Sequence, residues 1–596
     1  QVGDLDAAIA AYEKALAVAR EGSPDWARWQ ANLGGALIRR FEALGQVGDL
    51  DAAIAAYEKA LAVFDPEVWP GYALIAARGL GSLYFSQNTW DLAGDAFLKA
   101  VGAVNNLYAI QLLGSAREAW LARAGDVFRR AGYALARAGR VREAVVVLER
   151  GRARGLGEAL ARDRADLEAL KAKNPEAHDR FVRAAAMQRT VEARERAETT
   201  DRARPTPEAL RAQAQAAYQA MQAAIARVRQ VEGFEKFLML PDWEEVAGAV
   251  EAGAPLVYLV TTPAGGLALA LHREGEEVQV DAVPFVLTEP RLRELLVGPA
   301  DDPALGGWLG AYSRRRENPT GWWDAITQTT RALWNEAMRP VVAHLAGLGV
   351  EEAVLIPTGL LALLPLHAAW TEADGGRIYA LDRTVLSYAP SARALTHARR
   401  IAAAASAGPL LAIDEPKPVS ADPLPNSRAE VEAIADLFDK REMLRHERAT
   451  REAALLALPQ AAVAHFSCHG FNDWREPLHS GLLMAGNVGL TVQDLFDLKL
   501  TGARLAALSA CETGIVGTDL PDEVVALPMA LAWSASIAYG ARTASNRRWR
   551  SAKRSAGCAT PPTGRRRTTS GKTSRSWRYS VRRRWRTISP LISSPS

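Results

Sequence analysis

Two short motifs of this 596-residue chain each end an apolar run in a side chain capable of covalent chemistry. Residues 463–470 read VAHFSCHG and end in His469 and Gly470, while residues 505–514 read LAALSACETG and contain Cys511. Such runs predict buried parallel strands, and the side chains that follow them meet at the carboxyl edge of a sheet. A thiol beside an imidazole can attack an acyl group, because the imidazole lowers the pKa of the thiol or takes its proton.

Strand alternation distinguishes the two cysteines of these motifs. Because successive side chains point to opposite faces, Cys468 points away from the face shared by His465 and His469. Cys468 is therefore predicted to be a small buried apolar residue, His465 a core histidine, and Cys511 the thiol at a strand end. Gly470 leaves room for a backbone N–H to approach a substrate carbonyl, and the N–H of Cys511 is a second candidate donor to an oxyanion. The alternative is that all these residues belong to the core, since cysteine is among the most buried residue types.

The motifs resemble the CHAT family of caspase-like cysteine peptidases, which often follow tetratricopeptide repeats in bacterial proteins. HFSCHG is followed about forty positions later by LSACET and then by DEVVAL at residues 522–527. Segments similar to those of the family also occur at residues 357–369, 386–395 and 424–438, so the resemblance covers roughly residues 241–531. It implies His469 as the general base and Cys511 as the nucleophile, in a reaction that uses no metal and no organic cofactor.

Three acidic residues closely follow the predicted nucleophile, namely Asp519, Asp522 and Glu523. In a caspase-like site they could select a basic residue before the scissile bond by charge pairing. Equally, the last two could cap the N-terminus of a helix. No carboxylate is placed to orient His469, so we predict a catalytic dyad rather than a triad.

Charge is distributed unevenly along the chain. The formal net charge is +4, but residues 541–596 hold 14 Arg and 2 Lys without Asp or Glu, and without them the charge would be −12. The body is therefore mildly acidic and is not expected to bind nucleic acid. Hydrophobic residues make up 49% of the chain and charged residues 23%, an ordinary composition for two or more globular domains.

Three cysteines are too few for a disulfide framework, and no Cys/His spacing suits a zinc site. We therefore expect a reducing cytoplasm as the compartment. The longest uncharged runs, residues 252–272 and 353–371, are broken by Pro and Gly, which predicts strands and turns rather than membrane spans. The chain begins inside a repeat unit without Met and is interpreted as a fragment. It has no Gly-rich phosphate loop, so a nucleotide site is not expected.

The N-terminal part contains an internal repeat. One 18-residue segment occurs identically at residues 1–18 and 46–63, a period of 45 residues. Apolar residues at helical spacing, such as Leu50, Ile54 and Tyr57, predict two amphipathic helices per repeat, which must stack to bury their apolar stripes. The pattern resembles tetratricopeptide repeats with longer loops. Such arrays bind a protein or peptide along a concave face; a structural spacer or an oligomerisation arm is the alternative.

The predicted fold class is multidomain, with an all-α tetratricopeptide-like solenoid over residues 1–150. Residues 151–235, rich in Ala, Arg, Glu and Gln, predict a connector of long solvent-exposed helices. Residues 236–540 alternate strands with helices, which predicts an α/β caspase-like domain with a mainly parallel sheet, incomplete at its C-terminus. Between its two motifs, residues 471–489 are predicted to be a long loop that either lines the substrate groove or is a solvated crossover.

The basic tail, residues 541–596, does not have the pattern of a folded domain. No acidic residue occurs after Glu523, and Trp alternates with Arg clusters without helical or strand periodicity. The family continues here with another apolar strand and a final helix, so we interpret the tail as out-of-frame translation and expect it to be disordered. The consequence would be an inactive or unstable copy, because the sheet loses a strand beside that of Cys511. A genuine basic arm for nucleic acid or an anionic membrane is the alternative.

Together these observations predict a cytoplasmic cysteine endopeptidase that is targeted or regulated through protein interactions of its repeats. Its partners would be a protein or peptide substrate and a protein bound by the repeat array, with no nucleic acid for the body and no membrane. The rival hypothesis is a non-catalytic scaffold that keeps the fold for binding only.

Overall fold

The computed structural model describes residues 2–110, 124–152, 166–196, 207–235, 237, 239–298, 307–373, 375–404, 408–473, 476–498, 500, 502–510 and 522. The chain divides into two compact units, residues 1–243 and 244–596. Cys511, Asp519, Glu523 and the basic tail lie outside the described residues. None of the helices in the described ranges combines the length and the apolar character needed to cross a bilayer.

The first unit is helical, as predicted. Its described helices are α1 (Val2–Val18), α2 (Pro24–Leu44), α3 (Val47–Leu61), α4 (Pro70–Ser86), α5 (Trp90–Ile110), α6 (Val127–Arg137), α7 (Val141–Arg150), α8 (Asp166–Lys173), α9 (Pro175–Arg196) and α10 (Pro207–Val228). The two identical segments form α1 and α3, and helices α1 to α7 each pack against the next along the chain. Gly139, with a φ of 84°, forms the turn between α6 and α7.

The ring of Tyr57 fills the space between neighbouring repeats. Tyr57 on α3 is 5% exposed, and burial raises its pKa to about 12. A Cβ atom at Gly34 on α2 would lie 3.0 Å from the ring, and one at Gly79 on α4 would lie 2.5 Å from it. The two glycines therefore let α2 and α4 approach the ring closely.

The connector helices share an apolar core of their own, so the prediction that they are simply solvated is wrong. α9 and α10 pack side by side, with Phe181 and Met221 among the buried residues. Phe237, beyond α10, joins the same cluster and contacts Phe181 with ring centroids 5.1 Å apart. Asn174 separates α8 from α9, which begins at Pro175.

The second unit is α/β and contains several sheets. Its strands are β1 (Leu256–Thr262), β2 (Gly265–Glu274), β3 (Glu277–Phe285), β4 (Glu352–Pro357), β5 (Trp370–Ala373), β6 (Gly376–Tyr379), β7 (Val385–Tyr388), β8 (Leu410–Asp414), β9 (Arg441–Arg445), β10 (Val463–Ser467), β11 (His469–Phe471), β12 (Gly481–Met484), β13 (Val488–Thr491) and β14 (Leu505–Ser509). A mixed five-stranded sheet has the order β3-β2-β1-β4-β7, in which only the β1–β4 and β4–β7 pairs are parallel.

The helices of this unit lie before or between groups of strands. They are α11 (Trp243–Gly248), α12 (Glu289–Val297), α13 (Trp308–Ser313), α14 (Pro319–Leu333), α15 (Arg339–Gly347), α16 (Ala380–Arg383), α17 (Ala392–Ala404), α18 (Ser427–Ala435), α19 (Arg451–Ala457) and α20 (Val492–Asp497). A π-helical turn over Trp334–Met338 separates α14 from α15, just before Pro340. A capping box of Thr491 and Asp494 begins α20.

The second main sheet is entirely parallel, with the order β14-β10-β8-β9. One of its faces packs on α18 through Val463, Val431 and Ile434. Phe466 and Cys468 lie in a second apolar cluster, which includes residues of α19, β12 and β13. This is the parallel sheet predicted from the two motifs. The strands β11, β12 and β13 form a small antiparallel sheet where a long loop was predicted, so that prediction is wrong.

Substituting Gly79 by Ala should destabilise the repeats, because the new methyl group would overlap the buried ring of Tyr57. We expect the free energy of opening of α3 and α4 to fall by about 1–3 kcal/mol. Hydrogen–deuterium exchange of the intact chain measures this locally. Gly71→Ala on the same helix is the matched control, since a Cβ atom there meets nothing within 4 Å. Equal exchange in the two variants would contradict the prediction.

Candidate functional site

The two predicted catalytic positions follow neighbouring strands in parallel register. β10 pairs with β14 from Val463 opposite Leu505 to Ser467 opposite Ser509. His469 comes two residues after Ser467, and Cys511 comes two residues after Ser509 in the sequence. The structure thus brings both strand ends to one edge of the sheet, and it describes His469 there.

His469 is oriented by a backbone carbonyl. Its Nε2 atom lies 2.8 Å from the carbonyl oxygen of Asp422. A carbonyl only accepts, so Nε2 carries the hydrogen and Nδ1 is left as the basic nitrogen of the neutral ring. The carbonyl oxygen of Asp422 thus orients His469, a role for which the sequence offered no carboxylate. Because the acceptor is a main-chain atom 47 residues away, no side chain in the sequence indicates it.

The segment that presents this carbonyl is anchored at both ends by Glu415. Its backbone N–H donates to the carbonyl of Ser467 at 3.0 Å, and its Oε1 accepts from the N–H of Leu424 at 2.7 Å. Burial would raise the pKa of Glu415, but the Leu424 N–H and Lys417 lower it below its ordinary value. The anchor is therefore complete above pH about 4.5 and weakens as the pH falls further.

The other residues of the first motif alternate as predicted. Cys468 is 2% exposed within an apolar cluster, and burial strongly raises the pKa of its thiol. His465 is likewise buried, on the opposite face of β10. Gly470, a predicted oxyanion donor, is half-buried in β11 opposite Leu482.

A partly buried polar cluster, in which Ser467 and His465 are buried and Ser509 is exposed, was missed by the sequence analysis. Glu430 of α18 accepts hydrogen bonds from the hydroxyls of Ser467 and Ser509, both at 3.1 Å. The Nε2 atom of His465 lies 3.4 Å from its other oxygen. In the sequence, residues 424–438 are only a segment similar to the family, which gave no reason to single out this carboxylate.

Of the three acidic residues proposed for a substrate pocket, the structure describes Asp522. Its Oδ1 accepts a hydrogen bond of 2.7 Å from the N–H of Gly359, where the 3₁₀ turn Gly359–Leu363 begins. This carboxylate therefore joins the region after Cys511 to the segment 357–369. Asp519 and Glu523 lie outside the described residues.

Replacing Glu415 by Ala should loosen the segment that holds Asp422, because the N–H of Leu424 loses its acceptor. We expect amide exchange over residues 416–426 to accelerate by about 5- to 10-fold, which corresponds to one hydrogen bond. Glu415→Gln keeps an acceptor oxygen and should have a smaller effect. Glu442→Ala, on the exposed part of β9, is the control. An unchanged exchange rate in Glu415→Ala would rule out this anchoring role.

Comparison with known proteins adds the family. Residues 327–550 match the family model described as the CHAT domain, whereas no curated protein matches the chain. The resemblance was expected to cover roughly residues 241–531. The match begins later and ends later than that, and it includes β4 to β14. His469 and Cys511 both lie within it. This part of the chain therefore carries a CHAT domain.

Proposed function

We propose that the second unit is a caspase-like cysteine endopeptidase in which His469 is the general base and Cys511 the nucleophile. The observation that carries the proposal is the register of β10 and β14, whose ends precede these two residues by equal intervals. The CHAT match over the same strands supports it. The reaction would take place in a reducing compartment such as the cytoplasm, because it needs a free thiol.

The orientation of His469 specifies the path of the proton. Nε2–H donates to the carbonyl of Asp422, so Nδ1 accepts the proton of the Cys511 thiol. The thiolate sulfur then bonds to the carbonyl carbon of a peptide bond. As the C–N bond breaks, the imidazolium returns the proton to the leaving amine, and water hydrolyses the resulting thioester. The Asp422 carbonyl stabilises the imidazolium while it exists.

Backbone groups and acidic side chains complete the proposed site. The N–H groups of Gly470 and Cys511 would bind the oxyanion of the tetrahedral intermediate. Asp519 and Glu523 would favour a basic residue before the scissile bond. Asp522 contributes less to such a pocket, because Gly359 engages one of its oxygens. The chemistry requires neither a metal nor an organic cofactor.

We further propose that the helices α1 to α7 are tetratricopeptide-like repeats that bind a protein partner. The identical segments in α1 and α3 and the sequential packing of the helices support this reading. The bound partner would recruit substrate or release the peptidase. The helices α8 to α10, between residues 151 and 235, would form a separate connector with its own core.

The thiol of Cys511 should react with iodoacetamide far faster than that of Cys468. Cys468 is shielded by the core and its pKa is raised, whereas a Cys511 paired with His469 is a thiolate at neutral pH. We expect His469→Ala to slow Cys511 alkylation at pH 7 by about 10-fold or more, since a free cysteine is mostly protonated there. Mass spectrometry of the individual peptides measures both rates.

Peptide hydrolysis supplies the second readout of the same proposal. Cys511→Ala should abolish cleavage of peptides that carry Arg or Lys, and Cys468→Ala should leave it unchanged. A Cys511 that alkylates no faster than free cysteine, and does not respond to His469→Ala, would instead favour a non-catalytic scaffold.

Restoring the reading frame after about residue 531 should raise peptidase activity. Among the described strands β14 is outermost in its sheet and only half-buried, whereas β10 is fully buried. A normal family sequence would place another apolar strand in the altered region. We therefore propose that this copy keeps its dyad but cleaves peptides weakly, and expect more than about 10-fold higher activity in the restored chain. Equal activity of the two purified chains would refute this account of the tail.

A further inference from the structure

Glu430 contacts both strands that lead to the proposed catalytic residues. Its Oε2 atom accepts one hydrogen bond from Ser467 and one from Ser509, each 3.1 Å long. These serines are opposite one another in the register and are the last residues of β10 and β14. A single carboxylate oxygen on α18 thus joins the two strand ends.

The carboxylate of Glu430 is held in its charged form. Burial would raise its pKa, but His465, Ser509 and Ser467 together lower it. The side chain of Glu430 is 18% exposed, and that of His465 is 3% exposed. A partly buried charge loses stability when its hydrogen bonds are lost, which favours keeping both serine contacts, more strongly the one to the buried Ser467.

The two strand ends differ in what else holds them. The carbonyl of Ser467 also accepts from the N–H of Glu415 at 3.0 Å and from the hydroxyl of Ser427 at 3.3 Å. Ser509 ends the outermost strand among those described, and its hydroxyl donates to Glu430. Glu430 therefore has its larger effect on β14, the strand that precedes the proposed nucleophile.

We propose that Glu430 is a positioning residue of the peptidase, which sets the end of β14 relative to β10 and so places Cys511 within reach of His469. This inference rests on the proposed function. It requires no contact between Glu430 and the substrate. The effect is passed through Ser509, two residues before Cys511. Displacements near 1 Å in such a pair are enough to cost about 100-fold in rate.

The test is the alkylation rate of Cys511 by iodoacetamide in the full chain, followed by mass spectrometry between pH 5 and pH 9, the range in which cysteine and histidine titrate. Glu430→Ala should slow the reaction at pH 7 by about 10- to 100-fold and move its pH midpoint towards that of free cysteine. Glu430→Gln keeps an oxygen that can accept from both serines, so its alkylation rate should lie within about 3-fold of that of the unaltered chain. That difference is smaller than the effect of losing one hydrogen bond. Glu432→Ala on the same helix, which loses surface ion pairs, is the matched control and should react normally.

The two serines separate positioning from stability. Ser467→Ala and Ser509→Ala each remove one hydrogen bond to the same oxygen, and the loss at the buried Ser467 should cost at least as much stability as the loss at the exposed Ser509. Only Ser509→Ala should strongly slow the alkylation of Cys511. Continued protection of Cys468 from the reagent shows that each variant is folded, and Ser509→Ala decides the question where Glu430→Ala does not fold.

Two results would overturn the inference in different ways. In the first, His469→Ala slows the alkylation of Cys511, but Ser509→Ala slows it no more than Ser467→Ala does or not at all. The dyad is then supported and the role of Glu430 is refuted. In the second, Cys511 is alkylated at the rate of free cysteine and His469→Ala does not change that rate. The proposed function is then refuted, and the positioning role with it.

Discussion

The in-register pairing of β10 with β14 is the constraint on which the second unit depends. Backbone hydrogen bonds fix five residues of each strand opposite one another, from Val463 and Leu505 to Ser467 and Ser509. Apolar clusters on both faces leave little freedom to slip, because a shift of one residue would exchange the side chains of the two faces. The distance along the chain from this pairing to His469 is only two residues.

The pairing alone does not orient the imidazole. Glu415 takes part in a second constraint, since it bonds the end of β10 through its N–H and the loop that carries Asp422 through its carboxylate. One residue thus couples the strand that precedes His469 to the carbonyl that holds its ring. His469 is therefore oriented by main-chain groups, which a side-chain substitution can change only by moving the backbone.

Period-two and helical patterns predicted the parts of the fold that large apolar surfaces specify. The burial of His465 and Cys468 followed directly from residue type and spacing. The helical repeats and the parallel sheet were predictable for the same reason. Each of these features depends on local sequence.

Features that depend on short strands or on distant main-chain groups were missed. β11 to β13 are three or four residues long and are separated by polar turns, so residues 471–489 had no recognisable strand pattern. The carbonyl of Asp422 has no side-chain signal at all. Glu430 is one of two acidic residues on α18, the other being Glu432, and only the fold brings it to Ser509. The apolar core of the connector was not predicted, because its apolar residues are sparse in the sequence and come from separate helices.

The division of the chain into separately packed cores has an evolutionary consequence. Phe181 and Met221 belong to one cluster in the first unit, whereas Ile413 and Phe466 belong to another in the second. Damage to the second core need not melt the first, because the residues of each cluster are buried by their own neighbours. A lineage could therefore lose the proposed proteolysis by mutation in the sheet and still retain a folded helical unit on which selection for the proposed binding can act.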